Sequence, residues 1–180
     1  SNTINKSTSY LSNLEFRFLN ITHEFKNEID WNLDIYGKLW TYNLNYFDFL
    51  NQSSICQSEA LGMMKDYISK THKLIDGLEP YPISLRNVNW IKYLSKENIK
   101  DEKINRFLYN QYYRLIDNLE YQLLGNHLLE NGISLLFGAY YFRNDFFYSK
   151  AKKIILEELN EQILSDGAHF ELSPMYHQII

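Results

Sequence analysis

The spacing of apolar residues predicts helices along most of this chain. From Tyr10 to about Lys26 the apolar side chains recur every three or four residues, as they do on one face of a helix. The series runs through Leu11, Leu14, Phe18, Ile21 and Phe25. Five further helices are predicted, over residues 58–75, 84–94, 101–124, 127–142 and 144–163. Helices of about 15 residues with short links are typical of antiparallel helix pairs.

Glycine and proline set two of the predicted helix boundaries. Gly77 is expected to close the helix that begins near residue 58, because glycine readily adopts the left-handed conformation that follows many helices. Pro80 and Pro82 each disfavour helix at the preceding residue. The next helix is therefore predicted to begin at Ser84, a residue type that caps helices well.

Two polar residues mark further helix starts. Asp101 and Asn144 can each accept a hydrogen bond from the first turn of the helix that follows. The aromatic segment 31–50 lacks a clear period, and only its end, residues 46–50, is expected to start a helix.

Composition supports a packed helical chain and narrows its partners. Only 7 Gly and 3 Pro occur among 180 residues, and 45% of the residues are hydrophobic, so we predict an all-α fold with a substantial core. The net charge of −4 argues against a nucleic-acid binder. The single cysteine, Cys56, excludes an internal disulfide. No apolar run reaches the ~18 residues that would span a membrane.

The two ends of the chain carry separate expectations. Residues 1–9 are predicted to be a flexible tail, and their leading Ser-Asn resembles the remnant of a cleaved tag. The last residues, 176–180, read as an apolar helical segment without a stop signal. We therefore expect residues 1–180 to form one helical domain that belongs to a longer chain.

Three stretches of the sequence, in this order, resemble the heparinase II/III family of polysaccharide lyases. They are residues 39–50, LWTYNLNYFDFL; residues 79–90, EPYPISLRNVNW; and residues 123–177, which open with LLGNHLLEN and close with DGAHFELSPMYH. The resemblance implies an incomplete α/α toroid, followed in full-length members by a β-sandwich that contributes part of the active site. It also implies β-elimination on an anionic, uronic-acid polysaccharide such as a glycosaminoglycan or alginate, in the periplasm or outside the cell.

The resemblance also assigns candidate catalytic residues. Tyr176 matches the family's catalytic tyrosine and is predicted to take the proton and return it to the leaving oxygen. Asn126 and His127, at a predicted helix start, are the candidates that neutralise the substrate carboxylate, with Asn126 favoured. The competing interpretation of Asn126 is a helix N-cap that needs no substrate. Glu130, one helical turn later, is expected to orient either residue.

Further residues are predicted to bind the substrate. Arg86 is a candidate for a bidentate contact with an acid group, although a salt bridge within the protein is the competing interpretation. The remaining candidates are His169, His177, Trp90 and Tyr81. A core role competes with sugar binding for each aromatic ring. His127 and Glu130 supply only two ligand types without a partner motif, so no metal or cofactor is predicted.

Two other functions stay open on sequence grounds. A toroid glycoside hydrolase would need two carboxylates across a cleft, and the available residues are Asp48, Glu130, Asp166 and Glu171. A non-catalytic carbohydrate-binding or scaffold domain would bind a polysaccharide without forming product, since one fold hosts many functions.

Overall fold

The computed structural model of the protein describes residues 8–121, 126–168 and 170. Helices account for 61% of this part of the chain, which confirms the prediction of a mainly helical fold. The six α-helices of the described part are α1 Lys38–Tyr46, α2 Gln57–Lys70, α3 Pro80–Lys96, α4 Glu102–Asp117, α5 His127–Phe142 and α6 Asp145–Gln162. Short 3₁₀ helices follow α1, at Asp48–Asn51, and α2, at Thr71–Lys73. Within the described residues, none of the helices has the length and apolar character needed to cross a membrane.

The helix predicted over residues 10–26 is wrong, and a small sheet accompanies the helices of the predicted all-α fold. This segment forms a three-stranded antiparallel sheet: β1 Tyr10–Ser12, β2 Glu15–Phe18 and β3 Ile21–Glu24. Each link is a two-residue turn in which both residues have positive φ, and such turns match the twist of paired strands. The turn residues are Asn13 and Leu14, then Leu19 and Asn20. Because a right-handed helix has negative φ throughout, no helix could pass through these positions.

Strand β2 shows the alternation that the helical interpretation overlooked. Phe16 and Phe18 point into the core, whereas Arg17 between them is exposed. The Phe16 ring lies 5.1 Å from that of Phe49, and the Phe18 ring lies 5.2 Å from that of Trp40. The sheet is therefore held to the helices by aromatic contacts made from one face.

Two predicted helix caps are confirmed. The Asp101 side chain accepts a hydrogen bond from the backbone of Ile104 at 3.1 Å, and the Asn144 side chain accepts one from Phe147 at 3.0 Å. These bonds satisfy amide groups that have no partner inside a helix, so they fix where α4 and α6 begin.

Helix α3 begins four residues before the predicted start. Pro80 occupies its first position, where a missing amide hydrogen costs nothing, and the helix runs on through Pro82. Ser84 is therefore a buried residue inside the helix rather than its cap. The prolines initiate α3 instead of delaying it, because both lie in its first turn.

Helices α3 and α5 pack side by side and run in the same direction. Near their starts, Asn131 donates a hydrogen bond to the Ser84 hydroxyl at 3.0 Å. Further along both helices, Ile91 and Leu136 line the same groove. Early residues of α3 lie beside early residues of α5, and later residues lie beside later ones. The first turns of the two helices therefore lie at the same end of the fold.

Arg86 lies at the centre of the fold and is fully buried. Its guanidinium donates hydrogen bonds to the backbone oxygens of Gly77 and Asn45, at 2.9 and 3.3 Å, and to the Gln111 side chain at 3.0 Å. It also lies over the Tyr67 ring, 4.8 Å from the ring centre. Burial lowers the pKa of Arg86, but neutral acceptors and the aromatic face compensate the charge. One side chain thereby connects α1, α2, α3, α4 and the turn at Gly77.

Replacing Arg86 with methionine is expected to destabilise the protein by about 3 kcal/mol or more, because the buried acceptors lose their donors. The midpoint of chemical unfolding measures this loss. Arg106→Met is the matched control, since that guanidinium is exposed and pairs with the exposed Glu102 on the same helix. Equal stability of the two variants would contradict the structural role of Arg86.

Replacing Gly77 with alanine is expected to lower stability by about 2 kcal/mol. Gly77 has φ +79°, and an added Cβ would lie 2.5 Å from the side chain of Asn45. Gly62→Ala is the control, because a Cβ at that helical position meets nothing within 4 Å, and this variant should gain about 0.5–1 kcal/mol. A Gly77→Ala protein that melts at the temperature of the Gly62→Ala protein would show that the turn tolerates a side chain.

Candidate functional site

A row of partly exposed rings runs across the end of the fold where α3 and α5 begin. The Tyr81 and His127 rings are 4.5 Å apart with an interplanar angle of 31°. Tyr81 lies 6.1 Å from Tyr46, and Tyr46 lies 6.3 Å from Tyr42. We call Tyr42, Tyr46, Tyr81 and His127 the aromatic row. Such a surface can stack against the apolar faces of sugar rings while its polar tips bind hydroxyl groups.

An acidic and basic cluster borders the row at its Tyr42 end. The Tyr42 hydroxyl donates to Glu79 at 2.6 Å, and Lys38 pairs with both Glu79 and Asp76, at 3.2 and 3.0 Å. Burial acts to raise the pKa of Glu79, but the hydrogen bonds from Tyr42 and Lys38 outweigh it, so the net shift is downward. Glu79 is therefore an anchored carboxylate rather than a proton donor.

Two tyrosines in the row have raised pKa values, whereas a tyrosine that acts as a base needs a lowered one. Burial is the main cause that raises the pKa of both Tyr42 and Tyr46, and the neighbouring Glu79 adds to each shift. A phenol that takes a proton must first ionise, and this environment disfavours ionisation. These two side chains are suited to contact a ligand, not to abstract a proton.

Asn126 and His127 stand at the N-terminus of α5, as predicted. Among the described residues, the Asn126 side chain accepts no hydrogen bond from the first turn of α5. Asp101 and Asn144 do make that bond at their own helices. The amide of Asn126 is thus not used as a cap here, and the free backbone amides of the helix start favour an anion beside it.

Glu130 lies one turn further along α5 and is half-buried. Burial raises its pKa, and the proximity of His127 opposes the shift only in part. A carboxyl group with a raised pKa beside a histidine is a common feature of sites that move protons. Across the described part of the chain, no three His, Cys, Asp or Glu side chains are grouped to hold a metal ion.

On its other side, His127 faces Glu120, which lies just after α4. The Nδ1 atom of His127 and the Oε2 atom of Glu120 are 3.4 Å apart. Both atoms are shielded from solvent, although the His127 side chain as a whole is 40% exposed. The site therefore gathers groups from the ends of α1 and α4 and the starts of α3 and α5.

Residues 82–180 match the family model described as Heparinase II/III N-terminus. The matched region contains all of α5, α3 from its third residue onward, and the part of the site formed by Glu120, Asn126, His127 and Glu130. The chain belongs to the heparinase II/III family. The searches against curated proteins and against solved structures each found no match. Membership relates the chain to polysaccharide lyases, and the matched region contains Asn126, His127, Glu130 and Tyr176.

Two residues predicted to bind substrate have other roles in this heparinase II/III domain. Arg86 is sealed in the core, where it binds backbone oxygens and Gln111 rather than the acidic partner considered as an alternative. Trp90 is also fully buried, with its ring 5.2 Å from that of Phe47. These placements contradict both substrate-binding predictions, because neither side chain faces a surface that a polysaccharide could reach.

Several predicted residues lie outside the described part of the chain. They are Tyr176, His169 and His177, together with Glu171, one of the carboxylates considered for a hydrolase. Their roles stay predictions. Of the other candidates, the structure brings Tyr81, His127 and Glu130 to one end of the fold with Asn126.

Sequence reasoning missed Glu79 and Glu120. Glu79 carried a usable signal, since it directly precedes Pro80 and thus stands at the start of a helix. Glu120 carried none, because its proximity to His127 depends on how α4 and α5 pack.

Glu130→Gln is expected to stabilise the domain at neutral pH. The raised pKa means that the folded state holds the Glu130 proton more tightly than the unfolded state, whose value is near 4.5. Stability from this group is complete below that value and is lost as the pH rises through the folded-state pKa. The glutamine variant does not titrate, so its advantage in melting temperature should grow with pH above about 4.5.

Melting curves recorded from acid to neutral pH measure this difference. Glu161→Gln, on the exposed face of α6, is the control and should follow the wild type at every pH. A constant offset between Glu130→Gln and wild type would mean that burial of the carboxylate is not the cause.

Proposed function

We propose that this heparinase II/III protein is a polysaccharide lyase that cleaves a uronic-acid polysaccharide by β-elimination. The observation that carries the proposal is the site at the start of α5, within the region that matches the family. Three groups lie together there. The Asn126 side chain makes no capping hydrogen bond, the His127 side chain is partly exposed, and the Glu130 carboxyl group has a raised pKa.

The first requirement of the reaction is to stabilise charge. The proton beside a uronate carboxylate is a poor acid, and its removal places more negative charge on the carboxylate oxygens. Donors held in place before the reaction stabilise that charge most effectively. In our proposal Asn126 supplies an amide donor, and the first-turn amides of α5 add theirs, with the helix dipole acting in the same direction.

The second requirement is a group that moves the proton. Tyr42 and Tyr46 are unsuited to this step because their pKa values are raised. Tyr176, which matches the family's tyrosine motif, is the proposed base and the acid that protonates the leaving oxygen. His127 is proposed to polarise the tyrosine.

The aromatic row provides a binding surface for neighbouring sugars. Tyr81 extends it from His127 toward α1, and Tyr42 is held in place by its bond to Glu79. Rings spaced at 4.5 to 6.3 Å form a continuous apolar strip that suits a chain of sugars better than a single small ligand.

The parallel arrangement of α3 and α5 also fits the larger architecture that the family resemblance implies. We propose that the helices belong to an incomplete α/α toroid formed by residues 1–180 and that a β-sandwich of the full-length protein completes the cleft. The full-length protein is therefore the form to assay.

With alginate and glycosaminoglycans as substrates, the full-length protein is expected to form an unsaturated product with ultraviolet absorbance. Asn126→Ala should lower kcat about 10²–10³-fold, the usual cost of one charge-stabilising donor. Tyr176→Phe should abolish product formation. Asn110→Ala, at an exposed position on α4, is the control and should keep full activity.

Two outcomes would overturn the proposal. Full activity of Tyr176→Phe would exclude the proposed base. Tight polysaccharide binding without product from any uronan would indicate the non-catalytic binding domain instead.

A further inference from the structure

We propose that Glu120 is a positioning residue for His127. Its carboxylate holds the Nδ1–H form of the neutral imidazole and leaves the Nε2 lone pair directed at the exposed side of the site. The inference rests on the proposed function only in taking the His127 edge as part of the reacting surface, and its main test does not depend on turnover.

The contact between the two side chains is direct and shielded. Glu120 Oε2 lies 3.4 Å from His127 Nδ1, and within the described residues neither atom has a hydrogen-bond partner. The separation is that of an electrostatic contact, and a shift of a few tenths of an ångström makes it a normal hydrogen bond. Among the residues that the structure describes, the shielded Nδ1 and the shielded carboxylate oxygen have only each other as partners, which favours that closure.

The solvent exposure of the two side chains indicates which edge of the His127 ring can contact a ligand. The Glu120 side chain is 15% exposed and that of His127 is 40% exposed. Because Nδ1 itself is shielded, the exposed area of His127 belongs to the rest of the side chain. Nδ1 faces the carboxylate, and our proposal places a ligand at the opposite edge of the ring.

The chemistry of a neutral imidazole then determines which ring nitrogen carries the hydrogen. One ring nitrogen carries a hydrogen and the other carries a lone pair. An ionised carboxylate only accepts hydrogen bonds, so the nitrogen that faces Glu120 must be the one with the hydrogen. Nε2 is left as an acceptor, able to receive a proton or a hydrogen bond from a hydroxyl group.

Hydrogen bonds that run through two buried polar side chains hold Glu120 in place. The Glu120 backbone amide donates to the Asn131 side chain at 3.5 Å, and Asn131 donates to Ser84 at 3.0 Å. Asn131 and Ser84 are both fully buried. The segment after α4 is thereby attached to α5 and α3, the two helices whose first turns form the site.

Tyr81 restrains the same imidazole from its face. Its ring lies 4.5 Å from the His127 ring and is tilted by 31° relative to it. With Glu120 at one edge and Tyr81 on one face, His127 has little freedom to rotate. Glu130, the other nearby carboxyl, interacts with His127 through charge, and its raised pKa favours its neutral form, so it competes weakly for Nδ1.

The test is the tautomer of His127, read from the nitrogen chemical shifts of ¹⁵N-histidine protein at a pH well above the ordinary histidine value of about 6.5. The His127→Ala variant assigns the signals among the five histidines. Wild type is expected to show the Nδ1–H form. Glu120→Ala should shift the population to the Nε2–H form, which a solvated histidine side chain prefers, and Glu130→Gln should leave it unchanged.

A wild-type protein in the Nε2–H form would overturn the proposal without any variant, so the outcome stands even where Glu120→Ala folds poorly. A Glu120→Ala protein that keeps the Nδ1–H form would overturn it as well.

Activity supplies a second readout. Glu120→Ala should lower kcat about 10–100-fold with KM nearly unchanged, the usual cost of losing an orienting partner. Glu120→Gln should recover part of the loss, because its carbonyl oxygen can still accept from Nδ1. If no uronan is cleaved while the tautomer follows Glu120, the lyase proposal fails and the positioning role stands. If cleavage proceeds and Glu120→Ala changes neither tautomer nor kcat, the lyase proposal stands and the positioning role fails.

Discussion

The buried guanidinium of Arg86 constrains the whole helical domain, because a charge in the core must be surrounded by acceptors. Those acceptors come from the end of α1, from the turn at Gly77 and from α4. Two of the three lie within two residues of parts of the candidate site. Asn45 is followed by Tyr46, and Gly77 lies two residues before Glu79. Satisfying one cation in the core therefore also determines where one end of the aromatic row lies.

The site combines two electrostatic environments. At the Tyr42 end, Lys38 and hydrogen bonds keep Glu79 ionised, whereas at the α5 end burial favours the neutral form of Glu130. Two carboxyl groups whose pKa values are shifted in opposite directions can take different parts in one reaction. A raised pKa lowers the ionised fraction of Glu130 at a given pH, which reduces the repulsion that an anionic polysaccharide would meet near Asn126 and is consistent with the proposed substrate class.

Sequence reasoning succeeded where a local chemical rule decides the structure. The caps at Asp101 and Asn144 follow from hydrogen bonding within one turn. It failed where distant packing decides. The period in residues 10–26 fits a helix as a list of apolar positions, but the turns between the strands determine the fold. The sequence alone suggests that Arg86 is a surface cation, and its burial depends on how α1, α2 and α4 pack around it.

Tyr81 stands between two prolines in the first turn of α3, and this has a consequence for binding entropy. Each proline ring fixes one backbone angle in the unfolded chain as well as in the folded one. The ring that contacts His127 is thus carried by a backbone segment that two prolines restrict. A ligand that stacks on it has little backbone motion to freeze, so more of the contact energy is available for affinity.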